Sequence, residues 1–134
     1  MKIPDKVRVG SIDYDVTVGE DPLIINGVQA LGCCDYMDST IKLDKSIQGN
    51  QQLEVTFLHE LMHTLFNDCK IDLVNYGLEY EQMEYIVDSL AYSLHQVIRD
   101  NPNIFMVEEE VEEEINLYVK GESEPIGKAK ASKK

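Results

Sequence analysis

Positive charge is what this chain has least of. Lys and Arg total 12 against 25 Asp and Glu in 134 residues, a net charge of −13. That balance argues against nucleic acid and against anionic membrane surfaces, both of which require basic patches. No apolar run approaches the roughly 20 residues that a membrane-spanning helix needs. The first residues, Met1-Lys2-Ile3-Pro4-Asp5, have no apolar stretch like that of a secretory signal. Cysteine is sparse as well: Cys33 and Cys34 are adjacent and Cys69 stands alone, which makes no disulfide framework. A reducing cytoplasm is the expected location. In a strand Cys33 and Cys34 point to opposite faces, so they are expected as buried or half-buried residues and not as a shared metal site. Histidine occurs three times, as His59, His63 and His95.

Two of those histidines carry most of the information. His59-Glu60-Leu61-Met62-His63 places imidazoles at i and i+4, one above the other on a helix, where both can reach one metal ion. Glu60 is turned by about 100° from His59, which aims its carboxylate beside such an ion and not at it. This arrangement suits a zinc ion that activates water, with a carboxylate to accept the proton. Phe57, Leu58, Leu61, Met62, Leu65 and Phe66 recur at helical spacing and are expected to hold this helix on a core. Asn50 is the expected N-cap, with Glu54 complementing the positive end of the helix dipole. A second helix is expected from Glu79 to Arg99, with apolar residues from Met83 to Ile98 at helical period, closed by Asp100-Asn101-Pro102. A catalytic zinc keeps three protein ligands, and the best sources of the third are carboxylates on that second helix. His95 lies about 16 Å along the axis from Glu84 and cannot share its metal on a straight helix; it is expected to be half-buried or on the surface.

The run from Thr56 to Leu65 resembles the extended signature of the zincins. The Glu84-x-x-x-Asp88 spacing is similar to the gluzincin pattern, in which a Glu ligates zinc and an Asp hydrogen-bonds the first ligand histidine. The resemblance implies that Glu84 binds zinc with His59 and His63, that Asp88 orients His59, and that Glu60 is the catalytic base. Such orientation has physical logic, since a metal-bound imidazole needs its second nitrogen held. Glu81, almost one turn away, remains the alternative ligand. Zincins also use a Tyr or His near the metal to stabilise the oxyanion, and Tyr80, Tyr85 and Tyr92 are the candidates on the second helix. Over roughly residues 30–102 the chain looks like a minimal zincin of the phage and mobile-element type, distantly similar to the ImmA/IrrE metallopeptidases. Glu84-Tyr85-Ile86-Val87-Asp88-Ser89-Leu90-Ala91 lacks the Ala-Asn pair usual in that family.

Ahead of the motif, Lys6–Val9 and Ile12–Val18 alternate around Gly10-Ser11 as a tight hairpin. A second hairpin is expected to pair Leu31–Met37 with Thr40–Leu43, and a loop or short helix to cover Leu23–Ile25 between them. The order implies one α+β domain over residues 1–105: a small antiparallel or mixed sheet, then the motif helix, then the second long helix. Residues 106–134 are expected to be an acidic segment and a flexible tail, with Val107, Val111, Ile115 and Val119 allowing a short acidic helix. In minimal zincins an edge strand before the motif helix holds an extended substrate backbone, and here the Leu31–Leu43 hairpin would furnish it.

The function expected from this resemblance is zinc-dependent endopeptidase activity on a protein or peptide, such as a phage or host regulatory protein. The alternative is a catalytically silent zinc-binding regulatory or interaction protein on the same scaffold. Nothing in the sequence specifies an oligomeric state.

Overall fold

The computed structural model describes residues 1–107, and the acidic segment and tail expected beyond them lie outside those residues. Met1–Asn101 forms one compact α+β unit. Strands β1 (Lys6–Val9) and β2 (Ile12–Gly19) form the first hairpin, in which Val9 opposes Ile12. Strands β3 (Ile24–Ile25) and β4 (Val28–Gln29) make a separate two-stranded ribbon. Strands β5 (Gly32–Asp35) and β6 (Thr40–Asp44) form the second hairpin. The main sheet runs β1-β2-β6-β5 and is mixed, since β2 and β6 are parallel and the other pairs antiparallel. Helix α1 covers Asn50–Asp68 and α2 covers Tyr80–Asp100.

Leu23–Ile25 is not a helix or a plain loop. Ile24 and Ile25 pair with Gln29 and Val28 across Asn26-Gly27. Both turn residues have positive φ, 52° and 79°, the left-handed geometry that Asn-Gly adopts cheaply in a tight hairpin. A ribbon this small is not stable by itself. Asp44 holds it: this carboxylate is 1% exposed and accepts from the Leu23 N–H (3.1 Å) and the Gln29 amide (3.0 Å).

Helix α1 begins one residue earlier than expected. Gly49 is its cap residue, with no side-chain cap bond, and Asn50 is already helical. Helix α2 starts with a reciprocal capping box, in which the Gln82 side chain accepts from the Glu79 N–H at 2.9 Å. The expected stripe on α1 is only part of what it buries. Leu53, Val55, Thr56, Phe57 and Leu58 are all buried, while Leu65 is exposed. Buried neighbours in sequence point in different directions on a helix, so α1 is covered on more than one side; it packs against both the sheet and α2. Ile41, Leu43, Tyr14 and Val16 supply the sheet side of this core, with Ala91 from α2.

Gly32 sets how closely β5 approaches α1. A Cβ there would lie 2.8 Å from the Thr56 methyl and 3.1 Å from the Lys42 carbonyl oxygen. The absence of a side chain lets the edge strand lie directly against the motif helix.

Candidate metal centre

His59 and His63 leave α1 one turn apart, with ring centroids 5.0 Å apart. Glu84, in the second turn of α2, reaches both. Its Oε1 is 3.1 Å from His59 Nε2 and its Oε2 is 3.1 Å from His63 Nε2. One ligand atom from each of the three residues lies within 4.8 Å of the others, a possible metal-binding triad. Glu81 is exposed and does not line the cavity described below. Asp88 Oδ1 is 3.1 Å from His59 Nδ1. With the Nδ1 proton donated to Asp88, Nε2 keeps its lone pair for a metal.

The donor set fits a metal on chemical grounds. Ligands 2.0–2.1 Å from a tetrahedral zinc lie roughly 3.3 Å from one another, close to the two imidazole–carboxylate separations observed. Burial lowers the His63 pKa against the opposing pull of Glu84, which favours the neutral ring that a metal requires. Two imidazoles and a carboxylate, with a hydrogen-bonded acid behind one ring, are ligand types that first-row divalent metal ions share.

Glu60 stands beside this triad and contributes no atom to it. It is 7% exposed, and burial pushes its pKa up to about 7, the His59 imidazole and the Cys34 thiol opposing and Glu84 assisting. Cys34 is half-buried against the core, and burial raises its thiol to about 12, leaving it neutral. Cys33 is also half-buried, and both thiols are free.

The triad opens into a cavity of about 660 Å³ walled by the ribbon, by β5 and by the two helices. β5 is the end strand of the sheet, and Gly32, Cys33 and Cys34 line the cavity. A second cavity of about 400 Å³ shares Tyr36, His63 and Met83 with the first and runs toward Phe66 and Leu73.

Of the three candidate tyrosines, one reaches this space. Tyr80 lines the larger cavity, and the neighbouring Glu84 carboxylate raises its phenol. Tyr85 is 75% exposed, and the Tyr92 hydroxyl donates to Gln52 at 3.0 Å; neither lines that cavity. Tyr36 was not among the sequence candidates, yet it lines both cavities and its hydroxyl donates to the His63 carbonyl at 3.1 Å. It comes from the β5–β6 turn, 27 positions before His63, and no spacing rule connects the two.

His95 differs from expectation. It is 7% exposed, and its Nε2 lies 2.7 Å from Glu54 Oε1, tying α2 to the first turns of α1. Glu54 therefore serves a helix–helix contact and not the helix dipole expected of it, since it lies beyond the first turn of α1. No helix among the described residues is long and apolar enough to cross a membrane. Compared with known proteins, the chain matches no family model, no curated protein and no solved structure.

Proposed function

We propose that this protein is a zinc-dependent endopeptidase. The observation that carries this reading is the pairing of a His59–His63–Glu84 donor set with a buried, non-ligating carboxylate, Glu60, in the same open cavity. A site that only holds a metal has no use for that carboxylate, because burying an uncompensated acid costs stability. A site that moves a proton does require it.

His59, His63 and Glu84 would hold a zinc ion, which would supply Lewis-acid polarisation of a peptide carbonyl and a water of pKa lowered towards about 7. Asp88 keeps His59 in the tautomer that faces the metal. Glu60 accepts a proton from the attacking water and returns it to the departing amine; a carboxylate poised near neutrality can do both. Among the described residues no strand pairs with the outer edge of β5, which can take an extended peptide. Tyr80 is the cavity-lining candidate to donate its hydroxyl to the carbonyl oxygen under attack, whereas the Tyr36 proton is already given to the His63 carbonyl.

The test is Glu60→Gln at matched zinc occupancy, with hydrolysis of an unfolded-protein or peptide library as the readout. The variant is expected to keep its zinc and fold and to lose hydrolysis. Undiminished hydrolysis would show that Glu60 is not the base. Silence from zinc-loaded wild type across the library would leave a metal-binding interaction protein as the better reading.

A further inference from the structure

The β3–β4 ribbon is the part of the cavity wall that the proposed chemistry leaves unused. In its register Ile25 opposes Val28, so these two side chains share one face. Ile24 and Gln29 share the other, and Gln29 is bound to Asp44. Ile25 and Val28 both line the cavity that holds His59, Glu60, His63 and Glu84; of the other pair Ile24 does not, while Gln29 also borders it but has its amide engaged by Asp44. They belong to no part of the hydrophobic core, and Val28 is 68% exposed. Leu31, at 40% exposed, continues the apolar wall below them. Exposed β-branched side chains on a ribbon that cannot stand alone contribute little to folding.

The ribbon is nevertheless held firmly. Asp44 accepts from the Leu23 N–H and the Gln29 amide, the Asp44 N–H donates to the Leu31 carbonyl at 2.9 Å, and the Ala30 N–H donates to the Leu23 carbonyl at 2.8 Å. Two bonds from Ser46, whose N–H and hydroxyl both donate to Asp44 Oδ1, fix the carboxylate itself. An apolar pair on a fixed arm, facing the reacting groups across one cavity, is a recognition element. Among the described residues no Lys or Arg lines this cavity, so no basic side chain among them selects an acidic side chain or a terminal carboxylate.

We propose that the ribbon is a substrate-gripping arm whose Ile25–Val28 face takes an aliphatic or aromatic side chain next to the scissile bond of an internal peptide segment. The inference rests on the peptidase reading and names its substrate class. Leu, Met or Phe at one position beside the cleaved bond is therefore preferred over Ser or Asp.

The experiment uses the zinc-loaded full chain and quenched-fluorescent decapeptides differing only by Leu or Ser, scanned through the positions flanking the cleaved bond. Wild type is expected to prefer Leu at one position by about 10-fold or more in kcat/KM, mainly through KM, the scale of a hydrophobic-pocket contact. The double variant Ile25→Ser/Val28→Ser is expected to lose that preference while keeping its zinc content, melting temperature and rate on the Ser peptide. Both positions are outside the core, so the fold survives the change. An unchanged Leu preference in the double variant, or no preference in wild type, overturns the proposal. If zinc-loaded wild type cleaves no peptide, the peptidase reading falls separately. Anisotropy of the same labelled peptides then decides the arm: tighter binding of Leu peptides, lost in the double variant, supports it, and equal binding overturns it.

Discussion

Replacing Glu60 by Gln in the metal-free protein should stabilise the fold, and only above the pH at which Glu60 ionises. Glu60 is 7% exposed, and burial moves its pKa from 4.5 to about 7. A carboxyl raised in this way binds more protons in the folded than in the unfolded chain between those pH values. Unfolding free energy therefore falls as pH rises through that window and stays depressed above it. At 1.36 kcal/mol per pKa unit, the displacement amounts to about 3 kcal/mol by pH 8. Glutamine has nearly the shape of protonated glutamic acid and carries no charge at any pH. Wild type and variant should match within about 1 kcal/mol at pH 4.5, and the variant should be more stable by about 2–3 kcal/mol at pH 8. Urea unfolding in EDTA, followed by circular dichroism at both pH values, measures this. Comparing the two proteins at each pH cancels every other titrating group. Returning zinc should narrow the gap at pH 8, because a cation beside the carboxylate favours its charged form. Parallel stability profiles from pH 4.5 to 8 in EDTA would refute the argument, for they would mean that Glu60 is as well solvated folded as unfolded.

Two further outcomes follow from the same geometry. Wild type should bind one zinc per chain by atomic emission, and His63→Ala and Glu84→Ala should each abolish it. Asp88→Ala should weaken it by about 10–100-fold, as lost support behind a ligand does, while Glu81→Ala leaves it unchanged; a large loss in the last variant alone would move the ligand by one turn. Gly32→Ala should destabilise the protein by about 1–3 kcal/mol, the usual cost of overpacking, since its methyl would lie 2.8 Å from Thr56 and 3.1 Å from the Lys42 carbonyl. Thermal unfolding checks this, and an unchanged midpoint would show that β5 can move away from α1 freely.

Local rules made the elements readable. The Gly10-Ser11 turn, the alternation before and after it, and the 3.6-residue period of both helices depend only on near neighbours, and the observed strands and helices follow them. His59 and His63 were legible for the same reason, being one helical turn apart in a single element. Where local signals were weak, they misled. Leu23–Ile25 gives too short a pattern to separate ribbon from helix, and its pairing depends on Asp44, 21 positions from Leu23.

The sequence by itself determined two imidazoles on one helical face, a carboxylate beside them and a choice of acids on the next helix, because each of these is a matter of spacing within one element. Which acid completes the set was decided by how α2 packs on α1, which turns Glu84 and Asp88 toward His59 and leaves Glu81 exposed. Burial of Glu60, and with it a pKa near neutrality, is likewise a tertiary effect, since desolvation depends on what covers the group and not on what adjoins it in the chain. The same holds for Tyr36 and for the Ile25–Val28 pair. Each reaches the cavity from a hairpin distant in sequence, and only the packing of β5 against α1 and the tie of the ribbon to Asp44 bring them to one cavity.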